Sequence, residues 1–176
     1  MNELNTFLQN NSLNNTQLLD AVYKDILELI FKEIVNKLEY NKTLYKQVKD
    51  LYFKNDNELL VVNSIVLNIC YCKLSNKELE QINIWLKAFL NKRDERQDFP
   101  IELRRSLYKN QNGKCNLCHK QLKDNEGHID HIIPFSYVGD EIDDNYQLLC
   151  NDCNWSKSNF LGRNVLNLIK YNERNL

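Results

Sequence analysis

The sequence contains little glycine and proline, and these residues are unevenly placed. Its 176 residues include four Gly and two Pro, which argues against a turn-rich all-β fold. All of them lie at position 100 or later, at Pro100, Gly113, Gly127, Pro134, Gly139 and Gly162. The chain therefore has two parts of different character, and the first part is free of both residue types.

The sequence also lacks an excess of charge of one sign. Its 23 basic and 24 acidic residues give a net charge of −1, so the overall charge does not indicate a nucleic-acid partner. The charges are instead grouped. A basic segment, residues 101–123, carries Arg104, Arg105, Lys109, Lys114, Lys120 and Lys123. An acidic loop, residues 140–144, carries Asp140, Glu141, Asp143 and Asp144.

A secretory signal and a membrane-spanning run are both missing. The first residues are polar, and the most apolar stretch, residues 59–72, is interrupted by polar residues. That stretch is also shorter than the roughly 20 apolar residues that cross a bilayer. We therefore expect a cytoplasmic protein with no membrane partner. In a reducing compartment, six cysteines indicate metal ligands or buried thiols before disulfides.

The first 95 residues have the periodicity of helices. Apolar residues recur at helical spacing over residues 15–40, which predicts an amphipathic helix. Residues 58–74 are apolar nearly all round, which indicates a central buried helix, although their β-branched residues leave a buried strand open. Ser75 and Glu78 have the form of a capping box before another helix. Residues 1–95 are therefore predicted to form a helical bundle.

Two pairs of cysteines mark the second part of the chain. Cys115 and Cys118 form one pair, and Cys150 and Cys153 form the other. Two CxxC pairs in a small intracellular domain indicate a four-thiolate Zn²⁺ site, with a redox pair as the alternative. Four thiolates complete the coordination of the ion, so this zinc is predicted to be structural. The other two cysteines are expected to be buried small side chains.

A short apolar segment between the cysteine pairs carries two reactive residues. Residues 127–134 read Gly-His-Ile-Asp-His-Ile-Ile-Pro and predict a buried strand that contains Asp130 and His131. His131 is a candidate general base because imidazole titrates near physiological pH. Asp130 offers hard oxygen ligands, which suit Mg²⁺ or Mn²⁺.

Further polar residues complete a pattern that resembles a known family. Asn145 precedes the second cysteine pair, and Asn154 and Lys157 follow it. With the Asp-His pair and both CxxC pairs in this order, residues 100–160 resemble the HNH nuclease family, whose motif has the form DHIIP…N…LC-x-x-C-N/H-x-x-K. The resemblance implies a β-hairpin followed by a helix, wrapped around one divalent ion.

The resemblance also implies a role for each residue of the motif. Asp130 would be one ligand of the catalytic ion and Asn154 the second, while Asn145 would brace the loop that carries the general base, His131. An amide ligand in place of imidazole favours Mg²⁺ or Mn²⁺ over softer metals. Lys157 would contact phosphate. The basic segment would also bind the nucleic-acid backbone, through Arg104, Arg105, Lys109 and Lys114.

The sequence thus predicts a mostly helical α+β protein with two domains. A helical domain over residues 1–95 would bind a partner, dimerise or position DNA. An HNH nuclease domain over residues 96–176 would contain the zinc site and end in a closing helix. The expected activity is metal-dependent hydrolysis of phosphodiester bonds in nucleic acid, first of all double-stranded DNA. The resemblance implies a role in restriction or phage defence.

Two questions stay open at this point. The alternative to an enzyme is a zinc-stapled module that binds nucleic acid or protein without cleaving it, within a larger assembly. The acidic loop is the second question, because it would repel phosphate unless it points away from the substrate or binds a metal ion.

Overall fold

The computed structural model of the chain describes residues 16–123, 126–163 and 165. The N-terminal part contains the helices α1 (Thr16–Tyr40), α2 (Lys42–Lys54), α3 (Glu58–Cys70) and α4 (Asn76–Asn91). The C-terminal part contains α5 (Ile101–Asn110), β1 (His128–His131), α6 (Phe135–Val138), β2 (Tyr146–Leu149) and α7 (Asn151–Lys157). The predicted fold class, mostly helical α+β, is confirmed. None of the described helices is long and apolar enough to span a membrane.

Polar side chains begin three of the N-terminal helices. Asn41 before α2 and Asn57 before α3 each accept a hydrogen bond from the backbone N–H three residues further on, at 3.0 and 3.2 Å. These bonds satisfy N–H groups that lack a partner within the helix. At the start of α4, the Glu78 carboxylate accepts a hydrogen bond from the Ser75 backbone N–H in the predicted capping box.

The segment that the sequence left open between helix and strand forms α3. This helix buries Val61, Val62, Ile65 and Val66 and packs against α1, α2 and α4. Packing against three helices outweighs the β-propensity of its branched residues. Tyr71 ends the helix in the left-handed conformation, with φ of 54°.

One apolar core joins the two parts of the chain. It contains residues of the N-terminal helices such as Phe31, and it also contains Ile133, Val138 and Leu161 from the C-terminal part. A smaller second cluster includes three of the four paired cysteines. It consists of Cys115, Leu122, Leu148, Leu149, Cys150 and Cys153. The two parts of the chain thus share one core, and their division into two domains stays a prediction.

The structure contains the β-hairpin that the family resemblance implied. Strands β1 and β2 pair antiparallel, with Asp130 opposite Gln147 and His131 opposite Tyr146. Helix α7 begins two residues after β2 ends, and it packs on β1. The chain therefore contains a hairpin followed by a helix, with the cysteine pair 150–153 at the start of that helix.

The predicted closing helix lies after Leu161, mostly outside the described residues. The residues that are described in this segment are bound to α1. The Gly162 N–H donates to the Glu28 carboxylate at 3.0 Å, and the Val165 N–H donates to Asp25 at 3.0 Å. The beginning of this segment thus docks on the helical part.

We predict that Leu161→Ala destabilises the helical part together with its own segment. Leu161 is fully buried in the core that also contains Trp85, so the truncation should lower the free energy of unfolding by about 2–5 kcal/mol. Denaturant unfolding followed by Trp85 fluorescence measures the loss, in a Trp155→Phe background that leaves Trp85 as the single tryptophan.

The neighbouring Phe160→Ala is the matched control for this experiment. Phe160 is exposed, so its truncation should change the free energy of unfolding by less than about 0.5 kcal/mol. A Trp85 transition that is the same in Leu161→Ala and in the parent protein would contradict a shared core.

Candidate functional site

Four cysteine sulfurs converge at the start of α7. The Sγ atoms of Cys115, Cys118, Cys150 and Cys153 all lie within 4.8 Å of one another. The Sγ atoms of Cys118 and Cys150 are 3.7 Å apart. Zinc–sulfur bonds of about 2.3 Å in a tetrahedron place the sulfurs about 3.8 Å apart, whereas disulfide sulfurs are about 2.05 Å apart. The structure thus brings the four predicted ligands together in a geometry that fits zinc.

A tight turn presents the first cysteine pair. Gly113 precedes it with φ of 67°, and a Cβ atom at this position would lie 2.7 Å from the Gln121 side chain. Glycine is therefore needed here, since it adopts positive φ without steric cost. Two backbone hydrogen bonds close the turn, from Cys115 N–H to Lys120 O and from Leu122 N–H to Gly113 O, at 2.9 and 2.8 Å.

The electrostatics of the cluster favour a bound cation. Burial alone would raise the pKa of Cys115, but backbone N–H groups of Cys118, Cys150 and Leu117 donate to its sulfur and lower the pKa to about 6. Burial and the neighbouring thiols raise the pKa of Cys153. Four thiolates at this spacing repel one another, so a positive ion is required for all four to be ionised.

We predict that Cys150→Ser removes the metal and lowers the stability of the protein. Loss of one thiolate leaves an incomplete tetrahedral set, and metal binding at such sites contributes directly to folding. Metal content by atomic emission and a thermal melt measure the two effects. Cys70→Ser is the control, because Cys70 lies outside the cluster; equal metal content in the two variants would contradict the site.

The two faces of the hairpin carry different chemistry. Successive strand residues point to opposite faces, so Asp130 and His131 are separated although they are adjacent in sequence. The His131 Nε2 atom is 2.7 Å from Asp140 Oδ1. On the other face, Asp130 Oδ2 is 2.9 Å from Gln147 Nε2 and 3.0 Å from Lys157 Nζ.

Aromatic rings enclose the His131 imidazole. The side chain is 2% exposed. Its ring centroid lies 5.7 Å from that of Phe99, 5.6 Å from Phe135 and 4.9 Å from Tyr146. Because Phe99 precedes α5 and Phe135 begins α6, three separate elements pack on the ring. The orientation of the imidazole is therefore fixed by packing and by one hydrogen bond.

Asp140 is the site residue that sequence reasoning missed. Its carboxylate accepts hydrogen bonds from the Gln97 backbone N–H at 2.9 Å and from the Tyr146 hydroxyl at 3.2 Å, in addition to His131. Burial alone would raise the pKa of Asp140, but these bonds outweigh it and the pKa lies below its usual value. Burial and the Asp140 charge raise the pKa of Tyr146 to about 12.

The contacts of Asp140 also answer the question raised by the acidic loop. Asp140 faces His131, and Glu141 forms an ion pair with Arg93 at 3.0 Å. Asp143 and Asp144 are exposed. The first half of the loop is therefore bound to other residues of the protein, whereas the second half presents its charge to solvent. The one signal in the sequence was an acidic cluster shortly after the Asp-His pair.

Lys157 lies inside the structure. Its Nζ atom donates to the His131 carbonyl at 2.7 Å and forms the ion pair with Asp130. The two side chains are 8% and 16% exposed. The sequence suggested a phosphate contact for Lys157. In this structure the ammonium group is bound internally, so such a contact would require the pair with Asp130 to open.

Asn145 clamps the chain directly after His131. Its side chain donates to the Ile133 carbonyl at 2.8 Å and accepts from the Ile133 N–H at 2.7 Å. Its own carbonyl accepts from the Ile132 N–H at 2.8 Å. An amide can form this two-way bond with a peptide group because it both donates and accepts. The turn after β1 is thereby held at a fixed position.

Asn154 lies half-buried on α7, one residue after Cys153. Within the described residues, no group of three or more Cys, His, Asp or Glu ligands is gathered around Asp130. An ion bound there would therefore depend on amide, water and substrate oxygens as further ligands. Mg²⁺ commonly binds in this way, since it retains several waters.

The basic segment is divided between inside and outside. The Arg104 guanidinium donates to the Gly127 carbonyl at 2.9 Å. This member of the basic segment therefore holds the residue before β1 in place. Arg105, Lys109 and Lys114 are exposed. These three side chains are free to approach a charged ligand.

We predict that Lys157→Met lowers the free energy of unfolding by about 3 kcal/mol, because it leaves a largely buried carboxylate without its partner. Chemical denaturation measures the change. Lys120→Met, at an exposed position, should have little effect. Adding Asp130→Asn to Lys157→Met should restore part of the loss; a double variant less stable than Lys157→Met would contradict this account of the pair.

Comparison with known proteins agrees with the motif. Residues 115–160 match the model of a protein family described as HNH endonuclease. The match includes all four cysteines of the cluster, the whole hairpin and α7. It covers less than half of the chain, and the helical part lies outside it. No curated protein and no solved structure matches the chain.

Proposed function

We propose that the chain is a metal-dependent endonuclease that hydrolyses phosphodiester bonds in nucleic acid, with double-stranded DNA as its substrate. The observation that supports this most strongly is the oriented His131 on the hairpin of the segment that matches the HNH family. A strand ending in a carboxylate and an imidazole offers both an oxygen ligand and a base, which are what phosphodiester hydrolysis requires.

His131 is the proposed general base. Its Nε2 atom is bound to Asp140, so Nδ1 is the nitrogen that accepts a proton from water. The oxygen of that water forms a bond to phosphorus while the bond from phosphorus to the 3′ oxygen breaks. The departing oxygen takes a proton from solvent, and the product carries a 5′ phosphate. A positioned base of this kind typically contributes 10²–10⁴-fold to the rate.

Asp130 and Asn154 are the proposed ligands of a catalytic Mg²⁺ or Mn²⁺. Both described contacts of Asp130 use Oδ2, so Oδ1 is the oxygen we assign to the ion. Carboxylate and amide oxygens are hard donors that match these metals. When bound, such an ion offsets negative charge that develops on the phosphate and the leaving oxygen. Asn145, by holding Ile133, keeps the proposed site at the end of β1 in place.

The remaining proposals concern the setting of the reaction. Exposed Arg105, Lys109 and Lys114 would contact the phosphate backbone, which makes binding strongly salt-dependent. Lys157 and Arg104 would act mainly by holding the protein's own backbone, because each donates to a backbone carbonyl. We propose a restriction or phage-defence nuclease of the cytoplasm. Its helical part would bind a protein partner or a second copy of the chain.

Cleavage of plasmid DNA tests the proposal. Wild-type protein should cut in Mg²⁺ or Mn²⁺, and His131→Ala should cut about 10²–10⁴-fold more slowly. His128→Ala is the matched control, since His128 lies on the same strand but is exposed. It should retain most of the activity. Gel assays with single-stranded DNA and RNA in parallel determine the substrate class.

Two outcomes would contradict the proposal. Equal cleavage by wild type and His131→Ala would remove His131 as the base. Tight DNA binding by the wild type without cleavage, in any divalent metal, would favour the non-cleaving binding module instead.

A further inference from the structure

Three hydrogen-bond donors converge on the Asp140 carboxylate from three different segments. Gln97 donates through its backbone to Oδ2, whereas Tyr146 and His131 both bind Oδ1. A carboxylate can satisfy all three because both of its oxygens accept. An amide with its oxygen kept toward His131 and Tyr146 could not, since its NH₂ group would face the Gln97 N–H, which is also a donor. The surroundings of this residue are therefore built for a charged acceptor.

We propose that Asp140 is a positioning residue that fixes the tautomer and orientation of His131. An acceptor at Nε2 places the proton of the neutral imidazole on that nitrogen. The lone pair then lies on Nδ1, the nitrogen to which we assign proton abstraction. Without Asp140 the ring would be free to carry its proton on Nδ1, and that tautomer cannot accept a proton from water there. The proposal rests on the proposed function of His131.

The segment that connects the two parts of the chain, residues 92–100, holds the loop that carries Asp140 in place. Gly139, with φ of 60°, directs the loop, and a Cβ atom there would lie 3.1 Å from the Lys92 side chain and 3.3 Å from the Arg93 carbonyl. The Lys92 ammonium donates to the Ser136 carbonyl at 2.8 Å. With the Gln97 bond to Asp140, these contacts pin residues 92–97 against the loop.

The same connecting segment also packs on the His131 ring. Phe99 packs on both His131 and Tyr146, with ring centroids 5.7 and 5.4 Å apart. Imidazole, carboxylate and phenol thus form one packed group that is largely shielded from solvent. Within it, Asp140 is the charged member at hydrogen-bond distance from His131. Both oxygens of Asp140 are bound by groups of the protein itself, so its effect on the reaction passes through His131.

Single-turnover cleavage of plasmid DNA by Asp140→Ala tests the inference, with Asp143→Ala as the control. Asp143 belongs to the same loop as Asp140, and its replacement by alanine removes the same charge, but the Asp143 side chain is exposed. We expect Asp140→Ala to lower the cleavage rate about 100-fold or more, with DNA affinity within about twofold of wild type. Asp143→Ala should cleave at nearly the wild-type rate. Asp140→Asn, close in shape, serves as a second variant if the alanine protein is poorly folded.

A double-mutant cycle with His131→Ala separates positioning from a general structural role. If Asp140 acts through His131, adding Asp140→Ala to His131→Ala should leave the residual rate unchanged. A further loss of rate in the His131→Ala background would overturn the inference. So would an Asp140→Ala rate within about threefold of the Asp143→Ala rate, provided that the wild-type protein cleaves. Either result would leave the nuclease proposal intact. A wild-type protein that does not cleave would overturn both.

Discussion

The convergence of four cysteine sulfurs is the constraint on which the C-terminal part of the structure depends. The sulfurs bring the tight turn around residues 115–118 next to the start of α7. A metal ion held by all four would close everything between them, including the hairpin, into one loop. The apolar cluster beneath the cysteines is small, and such a cluster gives little stability without a metal or a disulfide. A bound cation in this place would fix the direction in which α7 meets β1.

The hairpin places Asp130 and His131 on opposite faces, because successive residues of a strand point to opposite sides. Asp130 faces Gln147 and Lys157, and His131 faces Asp140 and Tyr146. Asp130 has an ion pair with Lys157 on one face and His131 has a hydrogen bond with Asp140 on the other, so neither the carboxylate nor the imidazole is left without a partner. The cost of burying charge is offset by specific geometry on both sides. A short two-stranded sheet is sufficient for this, because Asn145 and Lys157 hold its end at backbone atoms.

Much of this arrangement could be predicted from the sequence, and the exceptions have physical causes. The helices, the capping box at Ser75 and the cysteine cluster follow from periodicity and spacing, which are local properties, whereas the hairpin was implied by the family resemblance. The contacts of Asp140 with His131 and of Lys157 with Asp130 could not be predicted, because they depend on how separate segments fold together. A charged residue looks the same in sequence whether it faces solvent or a buried partner. The family match covers the segment that carries the motif.

The shared core limits how far the nuclease-like segment can be regarded as a transferable module. Ile133 follows β1 directly, and Val138 and Leu161 lie on either side of β2 and α7 in the chain. All three are buried among residues of the N-terminal helices. Severing the chain near residue 95 would expose this apolar surface to water and would also remove the acidic side chains of α1 that bind the backbone beyond Leu161. The helical part is thus a scaffold that completes its neighbour, and a fusion or chimera built on the C-terminal segment alone would have to supply a substitute for it.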